Sequence, residues 1–310
     1  MIGSIVFATE QGLGYLAKSF HDHGLLDKVL IHPHSSRTSH PEWFKEQKPF
    51  SKENFDWLLK DLKVLLIFET AFHWPIVTEA RKRGIKTVLI PMYECTPDVK
   101  DFDLILSPSA LDKKYFPDSI QITIPTEEPW KLREKALTFV HNSGNGGIGG
   151  RNGTQELIEA MKYVKSPIKL IMRAQEKTFT SSDPRITFEG PVSRDKLYSE
   201  GDVFIFPEKF NGLSLPIQEA CASGMAIMCG ARFPMTEWLS NELMIPIKGY
   251  KTEMIARNIE VAVYDPKDIA ETIDKWYGKD IELFSLRGRK WARENNWNTF
   301  INSFITICGL

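Results

Sequence analysis

Short runs of apolar and β-branched residues alternate with stretches of helical spacing along most of the chain, and this alternation narrows the fold more than any other feature. Ile2–Ala8 is the first apolar run; Gly12-Leu13-Gly14 interrupts it, and Tyr15–His23 continues with helical spacing. Further β-rich runs stand at Val29–His32, Val64–Phe68, Thr87–Pro91 and Leu104–Leu106, with helical segments such as Ile76–Lys82 between several of them. Strand–helix–strand alternation implies parallel strands joined by crossover helices, hence an α/β fold. Residues 35–60 are more polar and carry Trp43, Phe44, Phe50, Phe55 and Trp57, which read as a loop followed by a helix.

The pattern pauses at Ile124-Pro125-Thr126-Glu127-Glu128-Pro129, where two prolines and two acids suggest an interdomain hinge. A second series then starts. Ala136–Asn142 reads as a strand, Ser143–Arg151 as a glycine-rich loop and Gly153–Tyr163 as a helix. Strands follow at Ile168–Met172, Ile186–Glu189 and Val203–Phe206, then a helix near Leu215–Ala222, a strand at Met225–Cys229 and a helix opening at Asp265-Pro266-Lys267. In the tail, Trp297, Phe300, Ile301, Phe304, Ile305 and Cys308 repeat at helical spacing, so a terminal helix must bury one face. The expected organisation is two Rossmann-like domains, 1–128 and 129–290, and a final helix, 291–310, that crosses back toward the first.

Composition closes off other classes. The 310 residues are 42% hydrophobic and 25% charged, as in folded globular chains, which disfavours extended disorder and fibrous repeats. A net charge of -1 supplies no global field for nucleic acid or anionic membrane. Cys95, Cys221, Cys229 and Cys308 form no C-x-x-C pair and fit reduced thiols better than a disulfide framework or a zinc site. His21, His23, His32, His34 and His40 lack an acidic or cysteine cluster at ligand spacing, so no metal is expected. With no signal-peptide pattern and no apolar run of membrane-spanning length, we expect a soluble cytoplasmic protein.

Two loops could receive phosphate. Gly12-x-Gly14-x-x-Ala17 follows a strand, as the dinucleotide fingerprint requires, but the second strand ends Ile31-His32-Pro33-His34 without the acid that would hold a ribose. A dinucleotide-dependent oxidoreductase is therefore the weaker rival, and a tight turn facing a ligand the plainer reading. The second loop, His141–Gly153, holds six glycines in 13 residues between a strand and a helix. Free backbone N–H groups and a helix N-terminus suit a pyrophosphate, and Arg151 adds a full charge. No Gly-Lys-Ser/Thr closes it, so it is not a P-loop.

The stretch Phe206-Pro207-Glu208-Lys209-Phe210-Asn211-Gly212-Leu213-Ser214-Leu215-Pro216-Ile217-Gln218-Glu219-Ala220-Cys221-Ala222-Ser223-Gly224-Met225-Ala226 resembles the donor-binding segment of family 4 glycosyltransferases, which runs P-S-x-x-E-G-F-G-L-P-x-x-E-A-x-x-x-G-x-P-V. The likeness covers about residues 100–300 well and the N-terminal third in outline. It implies the GT-B fold, with donor on the C-terminal domain, and a retaining, metal-independent transfer from a nucleotide sugar, UDP-sugar before GDP-sugar, with no cofactor.

Carried over residue by residue, Glu219 falls on the glutamate that grips the donor ribose. Asn211 falls on the glutamate that contacts the donor sugar, so an amide replaces a charge. The usual Gly-Arg after the first C-domain strand is replaced by Asn142-Ser143-Gly144, which leaves Arg151, Arg173 and Lys209 as candidate diphosphate cations. His73 is the choice for the N-domain histidine that meets the donor sugar.

The expected catalytic residues are thus His73, Asn211 and Glu94. The expected donor-binding residues are Gly12, Gly14, Gly144, Gly146, Arg151, Arg173, Lys209, Gly212, Leu213, Ser214 and Glu219. Glu69, Tyr93 and Glu94 stand at strand ends of the first domain, where α/β proteins place ligands. The short P-x-K/R-[FY]-x-G-L-x-L-P form looks bacterial or phage-like, which implies a glycan, a lipid-linked glycan or a hydroxymethylated DNA base as the expected acceptor. The alternative class is a non-catalytic GT-B-like binding protein, favoured by Asn211 and by the missing Gly-Arg.

Overall fold

The computed structural model describes residues 1–35, 37–70, 73–97, 101–144, 148–175 and 179–310. The chain divides into two compact units, one of Met1–Ile124, Ile255–Arg257 and Trp297–Leu310, the other of Pro125–Met254 and Asn258–Asn296.

The first unit is built in chain order from β1 (Ile2–Val6), α1 (Gly12–Asp22), β2 (Lys28–Ile31), β3 (Gln47–Pro49), α2 (Phe55–Leu59), β4 (Val64–Glu69), α3 (Trp74–Lys82), β5 (Lys86–Pro91), β6 (Leu104–Ser107), α4 (Ala110–Tyr115) and β7 (Ile120–Gln121). The strands form one parallel sheet in the order β3-β2-β1-β4-β5-β6-β7. β1 is buried along its whole length, as a central parallel strand covered on both faces requires. The chain moves outward from β1 in one direction and returns to its other side at β4, which makes the β1/β4 edge a topological switch point.

Residues 35–60 differ from expectation by one strand. Gln47-Lys48-Pro49 pairs with β2 alone and stays partly exposed, so it has no apolar alternation to betray it; Pro49 is tolerated because the strand is at the edge.

The second unit contains β8 (Thr138–Gly144), α5 (Thr154–Ala160), β9 (Lys169–Ala174), β10 (Ile186–Glu189), β11 (Val203–Phe206), α6 (Leu215–Ala222), β12 (Ala226–Cys229), α7 (Met235–Trp238), β13 (Gly249–Met254), β14 (Asn258–Val263), α8 (Pro266–Trp276) and α9 (Glu282–Glu294). Its main sheet is parallel, in the order β10-β9-β8-β11-β12, and the switch point lies between β8 and β11. β13 and β14 form a separate antiparallel ribbon that the apolar pattern does not announce.

Helix ends follow local chemistry. Asp265 caps α8 by accepting from the Lys267 N–H at 2.9 Å, with Pro266 in the first turn. α9 lies close on α6, because a Cβ on Gly288 would stand 2.4 Å from the Cys221 carbonyl.

The last helix, α10 (Trp297–Cys308), belongs to the first unit. Trp297, Phe300, Phe304 and Cys308 are its buried face, and the first three meet the ring of Phe20 edge-on at 5.5–5.8 Å. The Lys86 ammonium closes its end by donating to the carbonyls of Ile307 and Cys308. The segment read as a hinge is tied to the second unit from Glu128 onward. The Lys131 N–H donates to Ser223, and buried Arg133 donates to the carbonyls of Gly201, Lys131 and Tyr198. Among the described residues no helix is long and apolar enough to cross a membrane.

Candidate functional site

At the carboxyl edge of the second sheet, β8 and β11 diverge and two loops leave side by side. The first, after β8, turns through left-handed glycines: Gly144, Gly149, Gly150 and Gly153 have φ of 57°, 58°, 63° and 68°. Gly153 has a second constraint, because a Cβ there would sit 2.1 Å from the Pro207 carbonyl of the neighbouring loop. The Lys209 N–H donates to the Arg151 carbonyl at 2.7 Å, which joins the two loops, and the Asn152 side chain donates to the Ser143 carbonyl at 2.7 Å. Beneath them His141 is fully buried between the Ile205 carbonyl and the Thr154 hydroxyl. Against the carbonyl Nδ1 must carry the proton, so Nε2 accepts from Thr154. Burial pushes this imidazole down to about 4, and it stays neutral.

The second loop, Pro207–Ser214, is organised by a buried ion pair. Glu208 and Arg232, with side chains 1% and 2% exposed, meet at 2.7 Å. Arg232 also donates to the carbonyls of Glu208 and Asn211, and the Tyr264 hydroxyl donates to the Glu208 carbonyl. Such a pair holds geometry because removing either partner strands a buried charge.

Asn211 works inside this network. Its Nδ2 donates to Glu208 at 2.8 Å, and its Oδ1 accepts the Ser214 N–H at 3.1 Å. Gly212 and Leu213 are buried beside it, and the Leu213 carbonyl accepts from Gln218. Ser214 enters α6 at φ 46°, an unusual conformation for a residue with a side chain.

Five buried polar atoms around this edge have no hydrogen-bond partner among the described residues: Asn142 Oδ1 and Ser143 Oγ at the end of β8, Glu156 Oε2 in the first turn of α5, and Ser214 Oγ and Gln218 Oε1 at the start of α6. Buried polar groups are normally satisfied, so a cluster without partners marks a place for a polar ligand or water. The Lys209 ammonium lies 2.7 Å from Glu156 in the first turn of α5.

Glu219, one turn into α6, is 7% exposed. Its Oε1 accepts from Arg194 Nη2 at 2.7 Å and its Oε2 from the Tyr198 hydroxyl at 2.6 Å, while the same Arg194 Nη2 reaches Glu128 at 2.5 Å. Burial pushes Glu128 up to about 7; Arg194 opposes that and Glu219 reinforces it. Burial, with Glu219 beside it, also keeps the Tyr198 phenol protonated. Arg173 stands opposite Asn142 in the β8/β9 register. It is 3% exposed, with donors on Glu189, Glu200 and the carbonyls of Lys196 and Leu197.

The structure therefore gathers Gly144, Arg151, Lys209, Asn211, Gly212, Leu213 and Ser214 at one edge, with Glu219 one helical turn behind. Gly146 lies outside the described residues. Apart from Arg173, the other expected residues belong to the first unit.

Gly12 opens α1, and Gly14 sits where a Cβ would be 2.0 Å from the Thr9 carbonyl, so that glycine serves close packing of helix on strand. β2 ends at Ile31 without an acid. Glu69 closes β4 at φ 63°, and its carbonyl accepts the Thr96 hydroxyl. His73 precedes α3 with its ring against Phe50 and Phe55; Nε2 is buried with no hydrogen-bond partner among the described residues. Glu94 is fully buried near Asp112, which burial, reinforced by Glu94, pushes up to about 7. The Tyr93 N–H and the Ser109 hydroxyl both donate to Asp112.

Sequence reasoning missed Arg194, Tyr198, Glu128, Glu208, Arg232 and the unpartnered side chains of Asn142, Ser143 and Gln218. Glu208 was in view as part of the motif. Asn142, Ser143, Gln218 and Glu128 also stood in quoted segments, but nothing local marked their role; Arg194, Tyr198 and Arg232 carry no local signal, because their partners lie far off in the chain. Among the described residues no three His, Cys, Asp or Glu side chains gather in a metal-holding group.

No protein-family model matches the sequence, and no curated protein sequence matches it either. Solved structures do match. A glycosyltransferase from Rickettsia africae superposes with a TM-score of 0.68 at 12% identity, over 99% of this chain and 97% of the other. Anabaena HepE, solved with UDP and glucose, gives 0.65 at 10% identity, over 98% and 99%. The sucrose-phosphate synthase of Thermosynechococcus elongatus gives 0.64 at 14% identity, over 99% and 97%. The fold is GT-B. In this GT-B chain the edge between β8 and β11 is thus the carboxyl edge of the second of two Rossmann-like sheets, and the edge between β1 and β4 is its counterpart in the first.

Proposed function

We propose that this chain is a glycosyltransferase of the family 4 type that binds a nucleoside-diphosphate sugar, UDP-linked in the first instance, at the β8/β11 edge. The observation that carries the reading is the cluster of unpartnered buried polar atoms at Ser143 and Ser214, flanked by the loop of left-handed glycines and by the cations Arg151 and Lys209. Backbone N–H groups freed by left-handed turns and two positive side chains suit a diphosphate. As the glycosidic bond breaks, negative charge grows on the leaving diphosphate, and fixed cations stabilise it most where it is largest. Glu219 would take the ribose, His73 is the candidate for the donor sugar, and Glu94 is the candidate base. The structures of HepE with UDP and with UDP-glucose support UDP as the first nucleotide to try.

The test is a thermal-shift panel of UDP, GDP, ADP and NAD, followed by donor hydrolysis and by NMR of the anomeric proton of the released sugar. We expect a nucleoside diphosphate to raise the melting temperature, NAD to leave it unchanged, and the product to retain its anomeric configuration. A shift with NAD alone would overturn the reading. Acceptors to screen are glycans, lipid-linked glycans and hydroxymethylated DNA.

A second reading rests on Asn211, whose amide nitrogen and oxygen are both engaged within the loop. A side chain committed in that way favours a nucleotide-sugar binder that does not turn over. Binding without hydrolysis or transfer would select it.

A further inference from the structure

Glu219 is a buried carboxylate whose two oxygens are each held by a different donor. Arg194 Nη2 lies 2.7 Å from Oε1 and the Tyr198 hydroxyl 2.6 Å from Oε2. Both donors come from the segment between β10 and β11, four positions apart: Arg194 opens a short helical turn, Arg194–Lys196, and Tyr198 follows just after its end. Tyr198 is 4% exposed. Arg194 is itself anchored, because the same nitrogen meets Glu128.

A carboxylate has about four lone-pair sites, and two donors occupy two of them, one on each oxygen. What this clamp removes is rotation of the carboxylate about its last bond. What it leaves is one acceptor site on each oxygen, in a fixed plane. A ribose presents two adjacent hydroxyls, and a carboxylate of fixed rotation meets both without losing side-chain freedom on binding.

We propose that Arg194 and Tyr198 are positioning residues that hold the Glu219 carboxylate for the 2′- and 3′-hydroxyls of the donor ribose. The proposal rests on the reading of Glu219 given above and adds to it the residues that make that contact selective. Neither residue touches the nucleotide; each acts through Glu219.

The experiment compares a nucleoside diphosphate with its 2′,3′-dideoxy analogue by calorimetry. The nucleotide is whichever of UDP, GDP and ADP binds the full-length protein most tightly. The proteins are wild type, Glu219→Gln, Tyr198→Phe and Arg194→Met. The wild type should prefer the ribonucleotide by roughly tenfold or more. Tyr198→Phe and Arg194→Met should each cut that ratio severalfold while the dideoxy analogue binds as before. A merely structural role would lower melting temperature and weaken both ligands equally.

The outcomes separate the two claims. If none of the three nucleotides binds, if the wild type does not discriminate, or if Glu219→Gln keeps the full ratio, the ribose role of Glu219 fails and the proposal with it. If the wild type and Glu219→Gln behave as expected but both clamp variants keep the full ratio, Glu219 stands and the positioning role is overturned. Tyr198→Phe preserves shape, so it decides the matter even if Arg194→Met does not fold.

Discussion

In the first unit β1 runs into a turn at Gly12–Gly14; in the second, β8 runs into a turn that closes at Gly153. Both strands lie at the switch point of a parallel sheet, and beside each a residue with a side chain takes a left-handed backbone, Glu69 at the end of β4 and Ser214 before α6. The chemistry at the two edges differs. The first turn is glycine because a Cβ at Gly14 would strike the Thr9 carbonyl, and elsewhere the first unit buries two acids together, Glu94 after β5 and Asp112 in α4. The second turn is glycine because its backbone is left-handed at four described positions, and its neighbourhood carries Arg151 and Lys209. Topology supplies an opening at each switch point, and only the residues around it decide what kind of ligand could enter.

The largest effects should come from adding one methyl group to each turn. Gly14→Ala and Gly153→Ala place a Cβ 2.0 and 2.1 Å from a backbone carbonyl, and each should cost on the order of 3 kcal/mol or more. Both should lower the melting temperature, yet UDP should still raise it in Gly14→Ala and not in Gly153→Ala. Loss of the UDP shift in Gly14→Ala would break the contrast and return the first turn to the donor site.

Next is Arg151→Ala. Losing a charge-assisted contact of about 1.5–3 kcal/mol corresponds to roughly 10- to 150-fold weaker nucleoside-diphosphate binding. Unchanged affinity by calorimetry would leave Lys209 to carry the charge at the second edge.

The buried acids of the first unit predict a pH dependence. Burial holds the Asp112 carboxyl at about 7 in the folded protein, above its ordinary value of 3.8, so the native state keeps a proton that the unfolded state has lost. Stability from this group is therefore full at low pH and is lost as pH rises to about 7, with a slope of at most about 1.4 kcal/mol for each pH unit. Glu128 in the second unit acts with the same sign. Asp112→Asn should flatten part of the fall in melting temperature between about pH 4 and 7. An unchanged slope would mean that Asp112 is ionised in the folded protein.

The smallest effect should be at Glu156, which faces Lys209 across 2.7 Å with both side chains partly exposed. Glu156→Gln removes a negative charge from beside the expected diphosphate, and UDP should bind a few-fold more tightly, about 1 kcal/mol or less. Weaker binding would instead make Glu156 the residue that aims Lys209.

Much of the fold was legible because it follows from local periodicity. The apolar runs at Val64–Phe68, Ile186–Glu189 and Val203–Phe206, the helix at Leu215–Ala222 and the one-sided face of Trp297–Cys308 need only the repeat of a strand or a helix. What escaped had weak or rival patterning. Gln47-Lys48-Pro49 is a polar edge strand, and the ribbon of β13 and β14 leaves several residues of each strand exposed.

The sequence taken alone determined two α/β series and a glycine-rich turn after the first strand of each, and it holds Asn211 and Glu219 in set positions of a segment that resembles a glycosyltransferase motif. Tertiary structure alone decided which charges meet. Glu208 finds Arg232 24 residues away, Arg194 finds Glu219 25 residues away and Glu128 66 residues away, and Arg173 is taken up by Glu189 and Glu200. The physical reason is range. A strand or a helix is set by neighbours within a few residues, whereas the desolvation that makes a buried charge choose a partner exists only after the sheet has brought distant segments together.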